Sequence, residues 1–380
     1  MPFNLSLAER EAAGLRRRLL SIDKVSGRQL VSQGTRYLNF AGNDYLGLSQ
    51  APELIKASVV AAQEFGVGAV ASPLVVGHQV IHRQLEAELA DWLGLDAVLL
   101  FSSGFSANQA LIKTLLSKEH TLWQDRLNHA SLIEAGALSS AKMRRFAHND
   151  LQALAAQLQP KAGLIISEGV FSMDGDQGDW QGLTTLAEQT HNWLMIDDAH
   201  GLGVLGKQGR GTLSEQGVAT HKVQIHMGTF GKALGVSGAF IGGSQALIDY
   251  LHNHARSYVY STHIPPPQAA AILAAVRLVQ SADDKREQLQ ARIAQFRDRA
   301  TQLGLALMPS HTAIQPLIVG DEQGTLRLSA RLRELGFWVG AIRPPTVPKG
   351  SSRLRITLSA AHTQADIAAL LAALQESVKS

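Results

Sequence analysis

Between about residues 80 and 245 of this 380-residue chain, short β-type runs alternate with amphipathic helical stretches, and few folds accept that alternation. Strands separated by helices pair side by side in one direction, giving a mostly parallel sheet with helices on its faces. The stretch Gln79 to Leu93 opens the pattern. Ile81, Leu85, Leu89 and Leu93 recur there at helical spacing, with Glu86, Glu88 and Asp91 on other faces. Strands are predicted at Ala97–Phe101, Thr121–Gln124, Met143–Phe146, Leu164–Ser167, Trp193–Asp197, Val223–Met227 and Ala239–Gly242. The fold class is therefore α/β, a large domain whose mostly parallel seven-stranded sheet is covered by helices. Ligands of such sheets sit at the carboxyl ends of the strands.

Pro265-Pro266-Pro267 closes this region, and helices are predicted at Ala269–Leu278 and Lys285–Leu303. Beyond them, strands at Ala313–Val319, Phe337–Ile342 and Leu354–Leu358 mix with helices near Leu326–Leu335 and Gln364–Leu374, a smaller α+β pattern. The expected division is a large domain over residues 46–283, a small C-terminal domain over 284–380, and an N-terminal arm, residues 1–45, that packs with the small domain. A hydrophobic content of 45% and a charged content of 18% leave no room for extended disorder.

Other classes fall away on composition. A formal charge of +3 shows no basic stripe, so no nucleic-acid partner is expected; Arg16-Arg17-Arg18 reads as a solvated helix face. The absence of cysteine excludes disulfides, thiolate nucleophiles and Cys-ligated metal sites, and no HExxH pattern points to a metal. No uncharged apolar run reaches the roughly 18 residues of a membrane span, and the first residues lack a signal-peptide pattern, so a cytoplasmic protein is expected.

Three strand ends carry conspicuous polar groups. Phe101-Ser102-Ser103-Gly104-Phe105-Ser106-Ala107-Asn108 turns from a strand into a helix whose free N–H groups suit an anion such as phosphate. Leu194-Met195-Ile196-Asp197-Asp198-Ala199-His200 sets two acids and a histidine after a buried strand, where a carboxylate can hold a protonated ring nitrogen. Lys232 is the only formally charged residue between Lys222 and Asp249, in the small and apolar run Gly228–Gly235. An ammonium taken out of water loses hydration, which lowers its pKa and frees its amine to attack carbonyls. Anion cradle, carboxylate and isolated lysine are together the parts that hold pyridoxal 5'-phosphate as a Schiff base. His129, at the start of a predicted helix, is placed to stack on such a ring, and Ser172 closes a further strand beside it.

With these motifs the chain resembles the α-oxoamine synthases, fold-type I pyridoxal phosphate enzymes. The resemblance runs from Asn39-Phe40 through Asn43-Asp44-Tyr45-Leu46-Gly47-Leu48 to Arg353-Leu354-Arg355, with Glu168–Gly175, Asp197–His200 and Thr229–Lys232 in the family's order. It implies that Lys232 binds the cofactor covalently, that Asp197 pairs with the pyridine nitrogen, that His129 stacks above the ring and that His200 meets its phenolic oxygen. Gly104, Phe105 and Thr229 would belong to the cofactor cradle and Ser172 would lie beside the ring. Arg355 would take an amino-acid carboxylate, a task suited to a rigid guanidinium fork; Arg16, Thr346 and Asn43 match further substrate positions. The segment Ala341–Pro348 looks most like the member that joins L-alanine to a pimeloyl thioester, of coenzyme A or a carrier protein, in biotin assembly. Sister synthases that use glycine or serine with other acyl-CoA donors are the alternative. A homodimer is likewise implied.

Two stretches stand apart. The family's glycine-rich run reads here Gly66-Val67-Gly68-Ala69-Val70-Ala71-Ser72-Pro73-Leu74-Val75-Val76-Gly77, and its added side chains narrow the backbone's freedom, which bears on acyl-chain length. Gly201-Leu202-Gly203-Val204-Leu205-Gly206 fits a dinucleotide fingerprint, but the glycines that follow it break the required helix.

Overall fold

The computed structural model describes residues 3–12, 15–160 and 163–379. They form two compact units, one of residues 48–172 and 177–286, the other of residues 1–47, 173–176 and 287–380.

The larger unit is built on seven strands: β1 (Ala97–Phe101), β2 (Thr121–Asp125), β3 (Lys142–Phe146), β4 (Gly163–Glu168), β5 (Trp193–Asp197), β6 (Ile225–Thr229) and β7 (Ala239–Gly243). Their order across the sheet is β1-β7-β6-β5-β4-β2-β3. Only β7 runs against its neighbours, pairing antiparallel with β1 and β6; the other pairs are parallel. Central strands covered on both faces must be apolar throughout, and Leu164-Ile165-Ile166 and Leu194-Met195-Ile196 are all buried. Alternation still divides them. Leu164, Ile166 and Met195 join a core with Leu111, Leu122 and Met227, whereas Ile165, Leu194 and Ile196 join Trp123, Phe146 and Trp180 on the opposite face. The edge strand β3 carries Lys142, Arg144 and Arg145, charges that discourage pairing with another chain.

Two helices begin where strands end. α1 (Gly104–Leu115) follows β1 and is capped by Ser103, whose hydroxyl accepts the Ser106 N–H at 3.2 Å. α2 (Ala130–Leu138) follows β2 and is capped by His129. The two pack against each other. Both N-termini therefore lie at the carboxyl ends of the strands.

Several element bounds shift from the sequence expectation, among them the strand expected at Leu354–Leu358, which runs over Ser352–Thr357, and two departures have a visible cause. The run expected at Val223–Met227 starts two residues later, at Ile225, because Thr220–Lys222 forms a 3-10 turn held by His226, whose Nε2 lies 2.9 Å from Val223 O and 3.2 Å from Thr220 O. The run expected at Phe337–Ile342 is divided. Phe337–Trp338 pairs parallel with Thr35–Asn39, while Gly340–Ile342 pairs antiparallel with Ser352–Thr357, and the chain changes sheets at buried Val339.

The smaller unit thus holds a three-stranded sheet of Ile314–Gly320, Ser352–Thr357 and Gly340–Ile342, and a four-stranded sheet that includes Lys24–Ser26 and Gln29–Ser32. The turn 173–176, expected within the large domain, belongs to this unit. Arg353 donates to Asp174 Oδ1 at 2.8 Å, and the Ser310 and Thr312 hydroxyls donate to Gly175 O at 2.8 and 2.9 Å. Gly175 has φ +74° and a Cβ there would lie 2.4 Å from Ile314 O, so only glycine fits.

Gly228 on β6 has an added-Cβ distance of 2.5 Å to Phe240 Cε1 and 2.8 Å to Leu202 Cδ2, both in the packed interior. Gly228→Ala is expected to destabilise the protein by about 1–3 kcal/mol. Urea unfolding would show a lower midpoint at constant slope; an unchanged midpoint would mean that Phe240 yields without cost.

Candidate active site

Asp197 ends β5 and is buried. A carboxylate out of water needs donors, and two are present: Asn108 Nδ2 at 2.9 Å from Oδ2 and the Ala199 N–H at 3.2 Å from Oδ1. Asn108 sits one turn into α1, on the buried face with Ala107, Leu111 and Ile112. Its amide nitrogen also reaches Ser131 Oγ at 3.0 Å, and Ser131 Oγ lies 2.8 Å from His129 Nδ1. Through these contacts the starts of α1 and α2 meet the end of β5.

A second acid lies beside the first. Glu168 ends β4 in register with Asp197, buried, with Oε1 lacking a hydrogen-bond partner. Burial, and then the Asp197 charge, push its carboxyl well above the ordinary carboxylate range. Lys232 is half-buried between buried Phe230 and buried Ala233, in the loop joining β6 to β7, and its charge acts on both Glu168 and His129. That loop is closed by Phe230 N–H to Gly238 O and Gly235 N–H to Lys232 O, each 2.9 Å. For His129, burial dominates and holds the imidazole below its ordinary pKa; Asp197 opposes that shift and Lys232 adds to it.

The neighbouring acid has another task. Asp198 is buried and accepts the Thr212 hydroxyl at 2.6 Å and the Thr212 N–H at 2.8 Å. Cβ atoms added to Gly169, Gly201 and Gly211 would stand 2.1, 2.1 and 1.9 Å from its carboxylate oxygens. Gly201, the first glycine that imitates a dinucleotide fingerprint, is one wall of this cage and Gly211 beyond that run is another, and the segment coils through short turns without a long helix. His200, also buried, lies in the turn closed by Gly201 N–H to Asp198 O at 3.2 Å. Ser172 is buried after β4.

At the start of α1, Gly104 and Phe105 provide first-turn N–H groups that have no partner within a helix, and a Cβ on Gly104 would come within 3.1 Å of Met227 Cε. Thr229 ends β6; its hydroxyl donates to Gly238 O at 2.8 Å and accepts the Gly231 N–H at 3.3 Å, so it braces the lysine loop. In the smaller unit, Arg355 is buried and donates to Asn43 Oδ1 at 3.2 Å, and Tyr45 Oη lies 3.2 Å from the same oxygen. Arg16 pairs with Glu11 at 3.1 Å, and it is Arg17 that donates to Thr346 Oγ1, at 3.3 Å. Among the described residues, no group of three or more His, Asp or Glu is placed to hold a metal ion.

A buried carboxyl group with two donors, a half-buried amine, an imidazole held below its ordinary pKa and a helix start suit a cationic heterocycle bearing an aldehyde and a phosphate. The description "Aminotransferase class I and II" matches residues 35–374. An 8-amino-7-oxononanoate synthase of Aeromonas hydrophila is 59% identical over 98% of this chain and 94% of its own length. The chain belongs to the class I and II aminotransferase family, in the branch of the 8-amino-7-oxononanoate synthases. Serine palmitoyltransferase from S. paucimobilis, solved with a bound pyridoxal phosphate–myriocin aldimine, superposes with a TM-score of 0.94 at 26% identity, covering 99% of this chain and 96% of that one. The 8-amino-7-oxononanoate synthase of Francisella tularensis superposes at 0.80 with 32% identity over 90% of this chain and 98% of its own. These neighbours share the fold-type I architecture.

Sequence reasoning passed over Asn108, Ser131 and Glu168. A signal existed for two of them: an amide within an otherwise apolar helix stripe, and an acid ending an apolar strand. Ser131, two residues past His129, is marked only by the cap geometry.

Burial raises the Asp198 pKa from 3.8 to about 7. The folded state thus binds a proton that the unfolded chain has released, so this group's contribution is full below about pH 4 and is lost as pH rises through about 7. Asp198→Asn removes the titration, its amide oxygen accepting the Thr212 N–H and its amide nitrogen donating to the Thr212 hydroxyl. Relative to wild type, the variant should gain stability between about pH 4 and 7 and level off above that, as read by urea unfolding; parallel pH profiles would contradict the assignment.

Proposed function

We propose that this chain condenses L-alanine with a pimeloyl thioester, releasing carbon dioxide and the free thiol carrier and forming 8-amino-7-oxononanoate for biotin synthesis, with pyridoxal 5'-phosphate bound at Lys232. The buried carboxyl group of Asp197, which acts electrostatically on His129 together with Lys232 at the strand ends, carries this reading. When bound, the cofactor accepts the electron pair left at the alanine Cα after a proton or carbon dioxide departs. Every other step falls to the protein.

Lys232 would hold the cofactor through its aldehyde, and its amine, once released, would take the alanine Cα proton. Asp197 keeps the pyridine nitrogen protonated through a charge-assisted hydrogen bond. His200 and Ser172 contact the ring's substituents, and His129 stacks on its face. Gly104, Phe105 and Thr229 form the phosphate cradle; Thr229 does so by bracing the loop or by turning its hydroxyl. Arg355 takes the alanine carboxylate, with Asn43 and Tyr45 setting the guanidinium's orientation, while Arg16 and Thr346 serve the acyl substrate.

A second copy of the chain completes the assembly. The altered glycine-rich segment exposes Val67 and Val70 at 80% each, with Leu74, Val75 and Val76 also exposed. Val70 even adopts φ +60°, unusual for a β-branched residue. An apolar patch of that kind supports burial in a homodimer. The donor is free pimeloyl-CoA or the carrier-protein thioester, and a cytoplasmic location accords with a cysteine-free chain in which no described helix is long and apolar enough to cross a membrane.

Purified protein with pyridoxal phosphate should absorb near the visible edge, and borohydride should remove that band and leave a cofactor adduct on Lys232. With L-alanine and pimeloyl-CoA it should evolve carbon dioxide, and Lys232→Ala should lower turnover by roughly a hundredfold to ten-thousandfold. Wild-type turnover by that variant, or a preference for glycine or serine in a substrate screen, would refute the reading.

A further inference from the structure

The Asn108 side chain is fully buried and its amide nitrogen has two hydrogens, directed at Asp197 Oδ2 (2.9 Å) and Ser131 Oγ (3.0 Å). The flipped amide would set Oδ1 against a carboxylate oxygen, so the orientation is dictated by charge. A hydroxyl that accepts from Asn108 keeps one hydrogen to give. The acceptor is His129 Nδ1, 2.8 Å from Ser131 Oγ. Nδ1 also receives the backbone N–H of Ser131 at 3.3 Å, the bond by which His129 caps α2. A backbone N–H can only donate. Nδ1 is therefore bare, and the ring hydrogen of a neutral His129 resides on Nε2. The positive end of the α2 dipole opposes a second proton on the ring.

We propose that Asn108 and Ser131 are positioning residues that lock His129 as the neutral tautomer with hydrogen on Nε2, so that it meets the acyl donor as a hydrogen-bond donor and not as a base. This rests on the function proposed above and refines it. An Nε2–H aimed at the thioester carbonyl would strengthen as negative charge builds on that oxygen, and it removes no proton from alanine, leaving that task to Lys232. The same amide anchors Asp197. One buried side chain thus ties the carboxyl group proposed to pair with the ring nitrogen to the imidazole proposed to stack on the ring.

The test is nitrogen NMR of protein carrying 15N-imidazole histidine, with and without pyridoxal phosphate, the His129 signals assigned by their loss in His129→Gln. At pH 7, wild type should show a bare Nδ1 and a protonated Nε2 in both forms. Ser131→Ala should lower kcat about tenfold while the KM for alanine stays within twofold and the cofactor band is unchanged. A protonated Nδ1 in the wild-type spectrum overturns the proposal, as does wild-type kcat in Ser131→Ala. Failure to bind the cofactor would instead refute the function reading, because the spectrum of the cofactor-free protein tests the tautomer alone.

Discussion

A carboxylate kept out of water beside a helix amide organises this molecule. Removing an ion from water costs several kcal/mol even after relaxation, and a hydrogen bond to a charged group returns about 1.5–3 kcal/mol. Asp197 has Asn108 and the Ala199 N–H, which offset much of that cost and leave room for a cation to supply the rest. The requirement reaches outward. Asn108 must sit on the inner face of α1, α1 must start where β1 ends, and β5 must deliver Asp197 at the same level as the helix starts.

Two acids side by side would spoil that arrangement if both were charged. Neighbouring strands are about 4.8 Å apart, and two like charges at that spacing repel by on the order of 3 kcal/mol at an effective dielectric of 20. Burial of Glu168, and then the Asp197 charge, oppose ionisation of its carboxyl and so relieve the conflict. Asp197 accepts from Asn108 and from the Ala199 N–H, whereas Glu168 accepts the His129 backbone N–H and leaves Oε1 without a partner, so Asp197 is the better-solvated carboxylate of the two. This asymmetry gives a cationic ring nitrogen one partner instead of a divided field.

Much of the larger sheet was legible because its central strands are apolar runs of strand length between helical periods, as with Trp193–Asp197, which occupies its expected bounds. Where local and tertiary signals disagreed, the reading slipped. Phe337–Ile342 has uniform β character, yet its halves pair with strands that lie far apart in sequence, Thr35–Asn39 and Ser352–Thr357. No local pattern encodes that division. The turn 173–176 joins the smaller unit through Asp174–Arg353 and Gly175–Ser310, contacts between residues more than a hundred positions apart. At the site, groups that face a ligand could be named from residue type and strand-end position. The residues that hold them, Asn108 and Ser131, resemble ordinary helix polar groups until the fold brings them to Asp197 and His129.

The run from Gly201 to Gly211 shows why spacing is a weak guide without context. A dinucleotide loop uses glycine so that backbone can approach a pyrophosphate outside the protein. Here Gly201 and Gly211, with Gly169 from the end of another strand, use the same absence of a side chain to approach a carboxylate inside it. Thr212 then supplies the two hydrogen bonds that a bound ligand would otherwise accept from backbone. The glycines are consumed by the protein's own carboxyl group, that of Asp198, and that closure fixes the turn from which Asp197 and His200 are presented.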